Sequence, residues 1–384
     1  MLNQELDWIS INGFKSIEST GRVQLEPVNI IIGPNGAGKS NFIDAFALLQ
    51  TIKEGRLFEY VRTAGGADEI LNFGAKVTQK LSIELSFMNE VNGYKLILKA
   101  DNNDNLFPLS EEVSFWDKSR YQREYTDQLA PMKAGKEAGI SNSHITSAIG
   151  TWIRARLDRW RVYHLHDTSP SSPLRKIAKV DDNDFLRPDG SNLGAFLYRL
   201  QETEDYKPSL DLIKKSLQRV APYFEDFILK PDNINSNVIK LAWKHKKSDK
   251  YFGAQAFSDG TLRFLALATL FLQPLELRPS VILVDEPELG LHPSAISLLA
   301  AIIRQTSKET QIIASTQSSL LIDHFDPEDI LVAERNERGT NLNRLDSAQL
   351  SAWLEDYSLG QLWEKKIKLA VDQNSKYDSI NCSR

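Results

Sequence analysis

The hydrophobic pattern changes period several times along the chain. Near the start, "DWISINGFKSI" alternates polar and apolar positions, as a half-buried strand does. "VNIIIG" is a short apolar run ending in glycine, so residues 7–32 are expected to hold two strands. A helix is expected from about residue 40 to 54, and "KLSIELSFM" with "GYKLILKA" reads as a hairpin around "NEVNG". Periodicity fades between about 101 and 143, where "DNNDNLF", "REYTDQ" and "MKAGKEAGISNS" read as an insertion with long loops and a small hairpin around "EEVSFW". Helical spacing returns in "SHITSAIGTWIRARLDRW" and over 192–223, with strand-like "RVYHLHD" and a proline-rich turn, "TSPSSPLRK", between them. "VIKLAWKH" and "YFGAQAF" read as strands.

From residue 261 the chain alternates: helix 261–272, strand 280–285, helix 294–306, strand 310–315, a further helix, then strand 329–333. That order specifies an α/β fold with a parallel, doubly wound sheet. No internal repeat is present, and no heptad run is long enough for a coiled coil.

Composition narrows the class without naming it. The 384 residues are 41% hydrophobic and 25% charged, as in a soluble globular protein with room for a large core or two lobes. No stretch approaches the roughly 20 uninterrupted apolar residues of a membrane helix, and "MLNQELDWISING" lacks a secretory pattern. The single cysteine, Cys382, excludes intrachain disulfides, Cys-based zinc sites and CxxC redox chemistry. A reducing, cytoplasmic compartment and no membrane partner are therefore expected. The net charge of −5 leaves no nucleic-acid footprint by itself, although a local basic strip fits inside an acidic average.

Two motifs carry the chemistry. Gly33-Pro34-Asn35-Gly36-Ala37-Gly38-Lys39-Ser40 fits G-x-x-x-x-G-K-[ST] and lies after an apolar strand and at the start of a helix. Its glycines let backbone N–H groups close around phosphate oxygens, and the helix start adds partial positive charge. The ATP set is Asn35, Gly36, Ala37, Gly38, Lys39, Ser40 and Asn41. Lys39 is placed on the β- and γ-phosphates, and Ser40 on Mg²⁺. In "PSVILVDEPELGLHP", Asp285 and Glu286 emerge at the C-terminal end of a buried strand, where ligands sit in an open α/β sheet. Asp285 is expected in the Mg²⁺ shell and Glu286 as the base for the attacking water.

"GPNGAGKS", "FSDGTLR", "LVDEPELGLHP" and "IIASTQSS", in that order, resemble the ABC-type ATPases of the SMC, RecF and OLD group. "RVYHLHDTSPSSP" and "LGQLWEKK" also resemble bacterial stand-alone ATPases of the AAA-21 type within it. The resemblance implies a P-loop NTPase head: a mixed-sheet lobe, a parallel core sheet and an inserted, mainly helical region. It implies lobes over 1–100, with the cradle, and 236–345, with signature, acid pair, D-loop and switch strand. Residues 101–235 would be the insertion and helical region, and 346–384 a C-terminal helix and tail. It further implies a homodimer sandwiching ATP, in which Ser258, Asp259 and Gly260 contact the γ-phosphate held by the other copy's Lys39. Read on residues alone, Ser258 with Asp259 also suits an ordinary helix cap. Lys15, in "NGFKSI", matches a basic position that approaches nucleotide phosphates in the group; a solvated strand residue fits it equally.

The sequence departs from the group at three places. Gln317 stands where a γ-phosphate-sensing histidine is common; an amide can donate to phosphate but cannot become cationic. Asp259 replaces the usual signature glycine, so its carboxylate is expected to turn toward the helix start. A Q-loop glutamine is not obvious, and His166 or Asp167 could stand in. In "TWIRARLDRWR", Arg154, Arg156, Arg159 and Arg161 read either as braces to the acidic body or as phosphate contacts beside Trp152 and Trp160.

About 220 residues separate Lys39 from Ser258, too many for a transporter's nucleotide domain and too few for an SMC arm. About fifty-five follow Asp329, too few for the TOPRIM nuclease of OLD-type enzymes. The expectation is an ATP-hydrolysing head of a bacterial DNA-maintenance or anti-phage system. It would dimerise around ATP, with higher oligomers open, and switch a separately encoded effector, a TOPRIM-like nuclease by family analogy; DNA is a further candidate partner. The alternative is a DNA- or protein-binding clamp with vestigial hydrolysis.

Overall fold

The computed structural model of the chain describes residues 5–337 and 339–365. Within them the two strands expected in residues 7–32 join different sheets. Leu6–Phe14 enters a seven-stranded antiparallel sheet, pairing with Lys80–Phe87 and with the short strands Ile17–Ser19 and Val23–Gln24. Val28–Ile32 becomes a central strand of a six-stranded sheet. Lys80–Phe87 and Asn92–Ala100 form the expected hairpin, with Phe87 opposite Asn92.

The stretch from 101 departs from the sequence reading. Leu106–Phe115 is a ten-residue strand paired with Asn92–Ala100, and Tyr125–Gln128 pairs with it in turn. Two features hide its alternation. The register slips where Ile97 faces Ser110 but Leu98 faces Pro108, and one inward position is an acid, Glu111. That carboxylate is buried yet satisfied: the Tyr94 hydroxyl donates to it at 2.8 Å and the Ile140 N–H at 3.0 Å, joined by the Gly139 N–H. Glu111 thereby ties the turn Gly139–Ser141 to the sheet.

The six-stranded sheet runs Gly339–Arg344, Ile330–Asn336, Val28–Ile32, Gln311–Thr316, Val281–Asp285, Trp160–Tyr163. Only Gly339–Arg344 is antiparallel to its neighbour. Both faces are covered, which is why the central strands read as unbroken apolar runs. Ile31, Leu283, Ile313 and Leu331 pack in one core with helix Lys39–Lys53 and the inner face of the antiparallel sheet (Ile9, Ile11, Ile83, Leu96). Ile30, Ile32, Ile282, Val284 and Ile312 belong to the other core, with helices Asp259–Leu272 and Pro293–Thr306. Helix Lys39–Lys53 is wedged between the two sheets, so its apolar residues spread beyond one stripe.

The helical region is two helices, Leu193–Glu202 and Lys207–Val220, the second with proline in its first turn. A three-stranded sheet of Phe224–Ile228, Ala242–His245 and Tyr251–Gly253 follows, and "YFGAQAF" yields only three strand residues before a tight turn. Helices Ser347–Leu354 and Leu359–Glu364 close the described chain; Cys382 lies outside it. Among the described residues no helix is long and apolar enough to cross a membrane.

Candidate functional site

Strand Val28–Ile32 ends at the loop 33–38, which turns into helix Lys39–Lys53. Two of the loop's glycines adopt left-handed backbone that disfavours side chains, Gly36 at φ +79° and Gly38 at φ +99°. Gly38 also has no space for more: a Cβ there would stand 2.0 Å from Thr340 Oγ1. Asn35 and Gly36 are exposed, and the helix start has neither a side-chain cap nor an acidic residue, so its N–H groups are open to an anion. Asn41, next to Ser40, is half-buried. Its Nδ2 donates to Ser16 Oγ at 2.7 Å, and Ser16 shares a 2.7 Å hydrogen bond with Thr340, so Asn41 braces the cradle.

Lys39 is 5% exposed and folds back on its own loop, donating to Gly33 O at 2.7 Å and Pro34 O at 3.3 Å. Burial pulls its ammonium below the usual lysine range, opposed by the carboxylates of Glu286, Asp285 and Glu288.

The acid pair meets the cradle across the sheet. Ser40 Oγ donates to Asp285 Oδ2 at 3.1 Å, and Ser315 Oγ donates to Asp285 Oδ1. Both hydroxyls reach Asp285 because Val28–Ile32, Gln311–Thr316 and Val281–Asp285 lie side by side with their C-terminal ends in register. Glu286 has left-handed backbone, φ +41°, and its N–H donates to Ser315 O at 3.0 Å. Its carboxylate accepts the side-chain amide of Gln317. Among the described residues no group of three or more His, Cys, Asp or Glu side chains could hold a metal. The hydroxyl of Ser40 with the carboxylate of Asp285 is instead a two-oxygen set, which suits an ion that takes its other ligands from phosphate and water.

Ser258, Asp259 and Gly260 form the first turn of helix Asp259–Leu272. Ser258 Oγ caps that helix, accepting from Thr261 N at 3.2 Å and sharing a 2.7 Å bond with Thr261 Oγ1, yet the residue stays exposed. Asp259 does not fold onto the helix start as expected. Arg175 Nη2 donates to Asp259 Oδ1 at 2.6 Å, while its Nη1 holds Ala254 O at 2.7 Å. A nearby cation satisfies the acid better than an already capped helix turn. Gly260 packs on the D-loop, where a Cβ would stand 2.5 Å from Gly290 O. Among the described residues no hydrogen bond or ion pair joins Ser258, Asp259 or Gly260 to the same chain's Lys39 or Ser40.

Lys15, at φ +47°, pairs through Nζ with Asp44 of helix Lys39–Lys53 at 2.7 Å. It borders a cavity of about 380 Å³ lined with Ser16, Asp68, Asn72, Phe73 and Arg335. Of the arginines in helix Ala148–Leu157 and after it, Arg154 donates to Lys53 O and Ile140 O, and Arg156 stacks on Trp152 and pairs with Glu5. Arg161 holds the carbonyls of Asp158 and Trp160, and Trp160 is buried. Arg154 and Arg156 thus brace this segment to the body, whereas the hydrogen bonds of Arg161 stay within it.

Sequence reasoning passed over several residues of the site. Glu288 is 7% exposed and accepts from Thr316 Oγ1 and Gln317 N, while its second oxygen has no partner among the described residues. Burial pushes its carboxyl above the usual range. Arg263 links Leu289 O to His166, whose Nε2 lies 3.9 Å from Asp285 Oδ2. Arg263 did leave a signal, as a charge inside the apolar run "TLRFLALATLFL". Asp167 only caps its own turn, through Ser169 N.

Comparison with known proteins gives a family and a fold. Residues 28–323 match the AAA_21 family, described as "AAA domain, putative AbiEii toxin, Type IV TA system". The chain is 25% identical over 232 residues to the chromosome partition protein Smc of Lactiplantibacillus plantarum, covering 59% of this chain and 18% of that protein. It is 30% identical over 108 residues to the Smc of Mycolicibacterium paratuberculosis, covering 28% and 8%. The chain thus spans less than a fifth of the length of these curated relatives. Among solved structures, a Smc head bound to the C-terminal winged-helix domain of ScpA superposes with TM-score 0.57 at 15% identity, covering 91% of this chain and 99% of that one. A Smc head with an extended coiled coil, bound to the C-terminal domain of ScpA from Pyrococcus furiosus, gives 0.55 at 13%, covering 92% and 99%. These likenesses establish the fold.

Proposed function

This chain belongs to the AAA_21 family and is an ATPase of the ABC/SMC type, and from that premise we propose that it is a head that closes on a second copy around ATP and hydrolyses it. The observation that carries the reading is one hydrogen-bonded group at the ends of three adjacent parallel strands: Ser40, Asp285, Ser315, Glu286 and Gln317.

Each residue then has a task. Lys39 leaves the carbonyls of Gly33 and Pro34 and turns to the β- and γ-phosphates. Ser40 and Asp285 would hold Mg²⁺, which would supply charge neutralisation on the phosphate oxygens. Gln317 gives up Glu286 and donates to a γ-phosphate oxygen. Glu286 takes the proton of a water whose oxygen attacks the γ-phosphorus; the bond from that phosphorus to the β–γ bridging oxygen breaks, and ADP leaves with the electron pair. Asn35, Gly36, Ala37 and Gly38 supply backbone N–H donors, and the cavity beside Lys15 takes the nucleoside.

Ser258 with Gly260 meets the γ-phosphate held by the second copy. The exposure of Ser258 and its distance in bonding from its own cradle support this reading. The closed pair would switch an effector, for which the Smc heads solved with ScpA domains are a precedent. The competing reading, an ATP-gated clamp with vestigial hydrolysis, draws on Gln317 occupying the base.

One experiment separates the two. Glu286→Gln is compared with wild type for ATP turnover and for nucleotide-dependent dimers by sedimentation. Strong loss of turnover with accumulation of dimers supports the hydrolysing head. Equal, negligible turnover in both, with dimers in both, supports the clamp. A chain that stays monomeric with a non-hydrolysable analogue refutes the sandwich.

A further inference from the structure

His166 stands three residues beyond strand Trp160–Tyr163, at the edge of the acid pair. One ring nitrogen, Nδ1, is 2.7 Å from Arg263 Nη2; the other, Nε2, is 3.9 Å from Asp285 Oδ2. A guanidinium carries donors and no acceptor. At 2.7 Å, Nδ1 therefore presents its lone pair to Arg263, because an N–H there would meet an N–H. A neutral imidazole with a bare Nδ1 has its proton on Nε2.

The clamp on this ring is built. Arg263 is 4% exposed, lies inside helix Asp259–Leu272, and fixes its other arm on Leu289 O at 2.6 Å. Its rigid fork thus spans two acceptors, one on the D-loop and one on the imidazole, which a lysine's single ammonium would not hold in the same plane. The gap from Nε2 to Asp285 is too long for a direct hydrogen bond and wide enough for one bridging oxygen.

We propose that Arg263 is a positioning residue that holds His166 with its proton on Nε2, aimed at the oxygen of a water that in turn donates to Asp285. The ring then orients that oxygen and cannot ligate a metal, since the nitrogen facing Asp285 has no free lone pair. Arg263 lies five residues after Ser258 on the same helix, so the ring's aim is linked to the turn that meets the second copy. The catalytic part of this inference rests on the ATPase reading above; the tautomer rests on geometry alone.

The test uses the full chain labelled with ¹⁵N-histidine. Long-range ¹H–¹⁵N correlation reads which nitrogen of each ring is protonated, and His166→Gln assigns the His166 signals. The wild type should show His166 protonated at Nε2 only. Arg263→Lys and Arg263→Ala should lose that preference. In turnover, Arg263→Ala should cost roughly 10- to 100-fold when His166 is present, but no more than about twofold in the His166→Gln background. An Nδ1–H tautomer in wild type overturns the proposal without any variant. Equal losses in both backgrounds overturn it too, since Arg263 would then act only as scaffold. Should Arg263→Ala fail to fold, Arg263→Lys and the wild-type spectrum decide. A chain without turnover would refute the ATPase reading while leaving the tautomer result standing.

Discussion

The side-chain amide of Gln317 donates to the carboxylate of Glu286 across two adjacent parallel strands, so the base and the residue in the sensor position hold each other. While that bond is intact, one acceptor site of the Glu286 carboxylate is taken and the carboxylate is a weaker base toward water. Removing either partner therefore has opposite consequences. Glu286→Gln should slow turnover by about 10²–10⁴-fold. Gln317→Ala frees the base but removes a γ-phosphate donor. It should raise the slow turnover of monomers while weakening dimers, measured as turnover against protein concentration.

Ser258 has two expected roles that one substitution can separate. Aspartate caps a helix as well as serine does, so Ser258→Asp should keep the thermal stability of wild type. Its charge would nevertheless face a triphosphate, and ATP-dependent dimers should disappear while nucleotide binding by the monomer persists. Ser258→Arg should also block dimers through bulk. Dimers retained in both variants would count against the trans contact.

Gly38→Ala puts a Cβ onto Thr340 Oγ1 and forces φ +99° on a residue that resists it. A cost of about 1–3 kcal/mol in stability is expected from the backbone alone. The shift in melting temperature on adding ATP should vanish, because the loop N–H groups no longer converge.

Glu288 makes stability depend on pH. Burial holds its carboxyl above the ordinary glutamate value of 4.5, so just above that value the folded chain keeps a proton that the unfolded chain has released. The stability it contributes is complete below 4.5 and is lost as pH rises through the raised value. Glu288→Gln keeps an acceptor for Thr316 and Gln317 N–H without that loss. The variant should match wild type in acid and become the more stable of the two toward neutral pH, read by denaturant unfolding across the range.

Much of this was legible because it is local. A glycine loop between a strand and a helix, or two acids after an apolar run, needs only neighbours in sequence to be recognised. The core strands declared themselves because both faces of a parallel sheet are dry. Leu106–Phe115 stayed hidden because an inward Glu111 breaks the alternation, and only the distant Tyr94 and 139–140 N–H groups make that acid tolerable. The orientation of Asp259 was misjudged for a similar reason. Its partner, Arg175, is separated by 84 residues, and nothing in "SPLRK" announces it. His166 was noticed, but the arginine that fixes its ring lies 97 residues away.

Helix Lys39–Lys53 has no idle flank: its first turn borders the phosphate loop, and its body is gripped by two sheets at once. Close-packed interiors pass strain on rather than absorb it. Enlarging a buried position of this helix therefore leaves it no free side toward which to shift, and both sheets take the load.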